Sequence, residues 1–545
     1  MSGVGKGITA SSIAKILQFQ GLKVTAVKID PYVNVDAGTM NPTEHGETFV
    51  LEDGYETDQD MGNYERFLNQ SLPSLNYMTT GSIYLKVIQD ERALKYKGKT
   101  VDVVPDIPLA VISQIKKAGK KAKADIVIVE IGGTLGEYQN ILFIEAFRIL
   151  KMQNPKNVVS VLVSYLPIPN KIGEMKSKPT QNAVKIMRET GGFSPDIIVG
   201  RSEKEIDDKR KEKIAFYSNL EKEAIISAPD IDSIYDLPNV FLEQNLDKVL
   251  LKKLKIKKSR EDKKALKEWK NFIQKKNKIK NTKKESKIAV VGKYFDSGEY
   301  VLSDAYISVL EALKYASYNN NVSLKIDWIN SKKYEEKDWE KNIKELKKYD
   351  GVLIPGGFGT TGIEGKIRVI EFVRKNKIPF FGICYGLQLA VVEFARNVLG
   401  IKDATSVEIN PKSKNKVVDI LPEQKEKLKK GDYGGSMRLG LYPALVKKNT
   451  LASKIYKKNE IFERHRHRYE VNPDFVESLE KAGLVISATS PDGKLVEIVE
   501  LPQKKHPFFV ATQFHPELQA RPLKNHPIFD EFVKKTIKNR LEEKN

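Results

Sequence analysis

An α/β fold with two doubly wound parallel-sheet domains is what the sequence predicts, and three observations predict it. Short, nearly all-apolar runs alternate with amphipathic helical stretches, the pattern of strands covered by helices on both faces. The 545 residues exceed what one hydrophobic core supports, so two to four domains of about 100–200 residues are expected. A lysine-rich segment separates two such alternating regions.

In the first region, Ile8 to Gln20 has helical spacing, and Val24 to Ile29 reads as a strand closed by Asp30-Pro31. Further strands are expected at Val101–Pro105, Ile126–Ile131, Val158–Tyr165 and Ile197–Val199. The polar stretch Asp30 to Arg66 has little periodicity and is long for a structureless loop, so it is expected to carry function. Residues 251–287 hold 17 Lys/Arg against 4 Asp/Glu, a net +13, and read as a solvated linker. Its helical middle, Asp262 to Gln274, would put Ala265, Leu266, Trp269 and Ile273 on one face. Beyond it, strands at Ile288–Val291, Val352–Pro355 and Phe380–Ile383 alternate with helices such as Ser303–Ala316 and Leu387–Leu399. The expected domains are therefore 1–250 and 288–545.

Composition excludes several classes. With 40% hydrophobic and 30% charged residues, the chain has enough apolar surface to fold and too little bias for disorder. The net charge of +21 invites a nucleic-acid or anionic-membrane reading, but the linker accounts for +13 of it and leaves an ordinary +8 over the other 508 residues. No aromatic-basic surface pattern accompanies the charge, so neither nucleic acid nor membrane is expected as a partner. No apolar run approaches the roughly 18 residues that cross a bilayer, and Met1 leads into a glycine-rich, lysine-containing stretch rather than a signal-peptide core, so a cytoplasmic location is expected. The one cysteine, Cys384, excludes an intramolecular disulfide and any multi-cysteine metal site.

That cysteine lies in Phe381-Gly382-Ile383-Cys384-Tyr385-Gly386-Leu387-Gln388, between an apolar strand and a helix. This is the strand–turn–helix context of a nucleophile elbow, which needs small neighbours, and a helix N-terminus favours the thiolate. Most lone cysteines are buried filler, and the flanking glycines are what favour the reactive reading. A nucleophile needs a base and an orienting group. Gln513-Phe514-His515-Pro516-Glu517 follows the apolar run Phe508–Ala511, and on extended chain residues two apart point the same way, so Glu517 can hold His515. Alone, this would read as a surface His-Pro turn. Pro355-Gly356-Gly357-Phe358-Gly359 follows a third strand and can free the backbone N–H groups of an oxyanion hole. In this order and spacing the three resemble the class I glutamine amidotransferases from about Ser286 onward. The resemblance implies Cys384 as nucleophile, His515 as general base and acid, Glu517 as its orienting group, and oxyanion donors near Gly357.

In the first domain, Gly3-Val4-Gly5-Lys6-Gly7-Ile8 before a helix looks like the end of a phosphate-binding loop, without the Ser/Thr expected after the lysine. Asp58 and Asp60, with Glu130 before Gly132-Gly133-Thr134, suit Mg²⁺, although isolated acidic residues are usually solvated. Lys176-Ser177-Lys178-Pro179-Thr180-Gln181 offers two cations and a fixed turn, a second polyphosphate site or a plain basic loop. With KIDPY, NVDAGTM, EHGE, GYETDQDMGNYERF, EIGGT, KSKPTQ and ERHRHRYEVN in order, essentially the whole chain resembles the CTP synthase family.

That resemblance implies ATP-dependent amination of UTP to CTP by glutamine-derived ammonia, through a 4-phosphorylated UTP and an internal ammonia tunnel, in a cytoplasmic homotetramer. It places ATP on Gly3, Val4, Gly5, Lys6, Gly7, Ile8 and Asp60, with Pro229, Asp230 and Ile231 near the adenine. Mg²⁺ falls on Asp60 and Glu130, and Lys28 stabilises the transferring phosphoryl. UTP or CTP falls on Ser2, Glu137, Tyr138, Gln139, Lys176, Ser177, Lys178, Pro179, Thr180, Gln181 and Lys213. Glutamine falls on Gly357, Tyr385, Gly386, Leu387, Gln388, Glu408 and Arg468, and GTP is the implied activator.

Three departures qualify the resemblance. Met1 stands inside the phosphate loop, where the family has an apolar strand and further glycines upstream, so a gap in the sheet is expected. Gln139 stands where the family has a carboxylate that binds CTP, so altered feedback inhibition is expected. Thr361 stands where many members have an arginine linked to GTP activation, and a threonine cannot replace its charge. Two other readings are another ATP-dependent amidating synthetase of the cobyric-acid type, against which KSKPTQ speaks, and a catalytically crippled regulatory relative, against which Cys384, His515 and Glu517 speak.

Overall fold

The computed structural model describes residues 3–542 except 172, 258–259, 294–302, 358, 360 and 421–436. The chain divides into two compact units, one formed by Met1–Ala37 and Asp60–Ile273 and the other by Gly38–Gln59 and Gln274–Asn545.

Unit 1 has two three-stranded parallel sheets. The first runs Tyr77–Thr79, Val24–Asp30, Ile126–Ile131, with Val24–Asp30 buried along its whole length. The second runs Val161–Tyr165, Ile197–Ser202, Ile225–Pro229. The helix Lys6–Phe19 starts at Gly5, whose φ of 85° suits glycine, and buries Ala14, Ile16 and Leu17.

The helix Lys263–Lys278, expected as the middle of a solvated tether, is docked. Trp269 is fully buried, with its ring 5.7 Å from Phe67, 6.0 Å from Tyr235 and 6.4 Å from Phe19. Lys15 lies over the Trp269 ring at 5.0 Å, and burial pushes its ammonium down to about 8. Burying an indole offsets the cost of ordering a lysine-rich segment.

Two expectations for the first region of the sequence are corrected. The strand expected at Val101–Pro105 is absent, and the helical segment Val103–Ala122 is interrupted at the extended Val104 (φ −124°, ψ 121°), so that its continuous part begins at Pro105. Proline in a first helical turn sacrifices no hydrogen bond, whereas in a central strand Pro105 would break the ladder. The polar stretch Asp30–Arg66 is also structured. It holds the helix Pro42–His45, a hairpin of Phe49–Val50 with Glu56–Thr57, and the helix Gln59–Leu68, in which Met61, Tyr64 and Phe67 are fully buried.

Unit 2 is built on a nine-stranded sheet. Its order is Ser323–Asn330, Glu285–Gly292, Gly351–Ile354, Phe380–Ile383, Phe509–Thr512, Val496–Glu500, Val485–Thr489, Arg438–Val446 and Glu460–His467. The first five strands pair in parallel and the remainder extend the sheet antiparallel. Four of the five contain the apolar runs expected from sequence, whereas Ser323–Asn330 carries Lys325 and Asp327 and lies outside that set. The hairpin at 49–57 belongs to this unit. A Cβ on Gly440 would lie 2.6 Å from Gly54 N, so two backbones touch there.

Candidate active site

The thiol site of unit 2 lies at the carboxyl ends of the parallel strands, where open α/β sheets place ligands. Strand Phe380–Ile383 ends in Cys384, at φ 52° and ψ −98°, and the helix Tyr385–Asn397 begins at once. Positive φ is strained for a non-glycine residue. Here it is imposed by Cys384 N–H donating to Thr512 O at 2.6 Å, while the Cys384 carbonyl accepts from Leu387 and Gln388 N–H at 3.0 and 3.2 Å. Gly386 is sterically required, since a Cβ there would lie 2.4 Å from Ile354 O.

His515 follows the neighbouring strand Phe509–Thr512. Its backbone N–H donates to Arg464 O at 2.8 Å, and its Nδ1 stands 2.7 Å from Glu517 Oε1. Burial works against charge on this imidazole, but the Glu517 carboxylate and Cys384 outweigh it and push it up to about 10. Nε2 is buried, and Cys384 is among the groups that favour its proton. The glycine turn adjoins this ring, because a Cβ on Gly356 would lie 2.7 Å from His515 Cε1. Phe358 in that turn is outside the described residues.

The residues expected to hold glutamine share one corner. Tyr385 OH donates to Gly359 O at 3.1 Å, and Gly359 N–H donates to Glu408 Oε1 at 2.7 Å, which fixes the loop after Gly357. Burial raises the Glu408 carboxyl, opposed by the Gly359 N–H, Lys293 and Arg468, so Arg468 belongs to the same electrostatic neighbourhood. Gln388 is buried, and the Leu387 side chain lies in the core. The segment Glu460–His467 backs the site. Its Arg466 carbonyl lies 3.8 Å from Cys384 Sγ, while the side chain of Arg466 pairs with Glu56 at 2.7 Å and that of Arg464 donates to Val50 O at 3.1 Å.

In unit 1, the Lys28 ammonium is buried among three carboxylates: Asp60 Oδ2 at 2.6 Å, Glu130 Oε1 at 2.9 Å and Asp30 Oδ1 at 3.5 Å. Burial opposes its charge, yet Asp30, Asp60 and Glu130 hold it well above the usual lysine range. Burial pushes the Glu130 carboxyl up against the pull of Lys28, and Tyr64 OH donates to its other oxygen. The glycine loop meets this cluster: a Cβ on Gly7 would lie 2.2 Å from Asp60 Oδ1, and Lys6 Nζ donates to Gly133 O at 3.1 Å. A Cβ on Gly5 would come within 3.5 Å of Arg201 Nε. Arg201 in turn donates to Pro229 O at 3.0 Å and Asp230 Oδ1 at 2.9 Å, so the loop containing Gly3, Val4, Gly5, Lys6, Gly7 and Ile8 and the segment at Pro229, Asp230 and Ile231 are neighbours.

The residues expected to bind UTP are less uniform. Ser2 lies outside the described residues. Ser177 precedes the helix Lys178–Gly191, Gln181 Nε2 donates to Ser177 Oγ at 3.2 Å, and Thr180 faces the core with its hydroxyl 3.0 Å from Ser164 Oγ. Lys176 pairs with Glu174 at 2.7 Å, and Lys178, Pro179 and Lys213 are exposed. Glu137 accepts from Thr134 N–H at 3.0 Å, while Tyr138 and Gln139 are exposed.

Sequence reasoning missed Arg201, Tyr64 and Gln513, whose amide Nε2 lies 3.7 Å from Cys384 Sγ. Tyr64 carried a signal in the segment GYETDQDMGNYERF and Gln513 in its place two residues before His515, whereas Arg201 carried none.

The parallel sheet and the cysteine elbow, with a carboxylate-held histidine on the next strand, define unit 2 as a class I glutamine amidotransferase fold. Residues 301–535 match the family model described as glutamine amidotransferase class-I, and residues 1–256 the model described as CTP synthase N-terminus. The CTP synthase of Bacillus cereus is 46% identical over 542 residues, covering 99% of this chain and 97% of that protein. The CTP synthase of Shouchella clausii is 45% identical over 539 residues, covering 98% and 97%. The chain thus belongs to the CTP synthase family, glutamine-hydrolysing ligases that convert UTP to CTP with ATP as co-substrate. Among solved structures, the glutaminase domain of Trypanosoma brucei CTPS with bound acivicin is 38% identical and covers 46% of this chain and 94% of that one, with a TM-score of 0.43. No helix among the described residues is long and apolar enough to cross a membrane.

Proposed function

We propose that unit 2 releases ammonia from glutamine at Cys384 and that unit 1 uses it to aminate a phosphorylated UTP. The observation that carries this reading is the pairing of two complete clusters in one chain, Cys384 with His515–Glu517 and Lys28 with Asp60 and Glu130. The Cys384 thiol passes its proton to His515 Nε2, and the thiolate adds to the amide carbon of glutamine. The backbone around Gly357 donates to the oxyanion. Return of the proton to the leaving nitrogen expels ammonia and leaves a glutamyl thioester. Water, deprotonated by His515, then opens the thioester to glutamate.

In unit 1 the γ-phosphoryl of ATP moves to O4 of UTP, ammonia adds at C4, and phosphate departs with that oxygen to give CTP. Lys28 balances the charge on the transferring phosphoryl. Asp60 and Glu130 would hold Mg²⁺: their carboxylates converge, Oδ2 and Oε1 lying 2.6 and 2.9 Å from the same Lys28 Nζ, and this ion takes one or two carboxylates and completes its shell with phosphates. When bound there, it supplies positive charge to the ATP phosphates.

The burial of Cys384 supports the hand-over of ammonia through the protein interior. Half-exposed apolar residues Leu85, Ile88, Leu109 and Ile141 support assembly, which the reading takes to be a homotetramer. The test is CTP formation from UTP and ATP with glutamine or with ammonium. Cys384→Ala is expected to lose the glutamine-dependent activity alone, and retention of it would overturn the reading.

A further inference from the structure

We propose that Gln513 is a catalytic residue of the glutaminase, its side-chain amide donating to Cys384 Sγ and so stabilising the thiolate. The inference rests on Cys384 being the attacking thiol. Gln513 is fully buried, and its Nε2 lies 3.7 Å from the sulfur, within reach of an N–H···S hydrogen bond.

Which end of the amide faces the sulfur follows from hydrogen-bond bookkeeping. The Tyr469 carbonyl can only accept, so Gln388 must present Nε2 to it, at 3.0 Å. The second hydrogen of that same nitrogen points to Gln513 Oε1, at 3.5 Å. Gln513 Oε1 is thereby the accepting end, and Nε2 is left for the sulfur. A backbone carbonyl thus orients two glutamines in series and fixes a donor on the nucleophile. The Gln388 Oε1 at the start of this chain is buried and unpartnered among the described residues.

Among the described residues, the other groups around Sγ do not replace this donor. The Arg466 carbonyl, 3.8 Å away, accepts from the thiol and repels the thiolate. The guanidinium of Arg466 is committed to Glu56, and Glu408 accepts from Gly359 N–H. His515, held by Glu517, takes the thiol proton and must later give it to the leaving nitrogen. During that transfer Gln513 is the fixed, non-titrating donor that stays on the sulfur.

Because the chain has one cysteine, alkylation by iodoacetamide reports on this thiol alone. Gln513→Met keeps the volume and removes both hydrogen bonds. Gln513→Glu keeps the acceptor toward Gln388 and replaces the donor by a carboxylate. A hydrogen bond to a charged group is expected to move the pH midpoint of alkylation in Gln513→Met upward by about one unit or more, and Gln513→Glu further, with glutaminase kcat/KM down about 10- to 100-fold. Ammonia-dependent CTP synthesis, which does not use the thiol, is expected to be unchanged in both and reports that the chain is folded. An unshifted alkylation midpoint in either variant would overturn the inference, while leaving the role of Cys384 to its own test.

Discussion

Replacing Glu517 by Gln removes the one charge that faces His515 Nδ1 and leaves the shape of the side chain intact. The pair stands at 2.7 Å with both side chains nearly buried, so little solvent screens it. A hydrogen bond between charged groups contributes about 1.5–3 kcal/mol net, which is about 10- to 150-fold in rate if it is fully expressed in the transition state. The direction with pH also follows. Glu517 and Cys384, acting against burial, raise His515 from 6.5 to about 10, so the stabilisation from its bound proton is complete below about 6.5 and is lost as pH rises through about 10. Without the carboxylate, burial gains weight, the imidazolium gives up its proton at lower pH, and that window moves down. The assay is glutamate release from glutamine across about pH 6 to 9, alongside ammonia-dependent CTP synthesis on the same preparation. Glu517→Gln is expected to lose glutaminase activity by the factor above and to keep the ammonia-dependent reaction. A wild-type glutaminase rate at neutral pH would refute the assignment of Glu517 as the group that holds the base.

Three further outcomes are expected. Lys28→Met strands Asp30, Asp60 and Glu130 without their shared cation, which is expected to cost about 3–5 kcal/mol in urea unfolding of unit 1 and to abolish CTP formation from either nitrogen source, with glutaminase activity retained. Gly386→Ala drives a methyl to 2.4 Å from Ile354 O, so glutaminase activity is expected to collapse without loss of ammonia-dependent synthesis. Trp269→Ala empties the aromatic cluster around Phe19, Phe67 and Tyr235 and is expected to destabilise unit 1 by about 3–5 kcal/mol, read as a lowered unfolding midpoint.

The linear chain alone determined the features that rest on local chemistry. All-apolar runs mark strands, and Ile126–Ile131 and Phe380–Ile383 form with those bounds, the second buried throughout and the first half-buried. Glycines around Cys384 mark a turn too tight for side chains, and a two-residue offset places Glu517 beside His515. Local pattern misled where a tertiary contact decides. Val101–Pro105 is apolar enough for a strand, yet its proline starts a helix, and the cationic helix Lys263–Lys278 reads as solvated until the burial of Trp269 is seen. Only the tertiary structure placed Lys28 among three carboxylates drawn from positions 30, 60 and 130, or brought the Gln513 amide, oriented through Gln388 by the Tyr469 carbonyl, onto the sulfur. The physical reason is one of range. A turn or a cap is decided by neighbours in the chain, whereas the partner of a buried charge or amide is decided by whichever strands the sheet sets side by side.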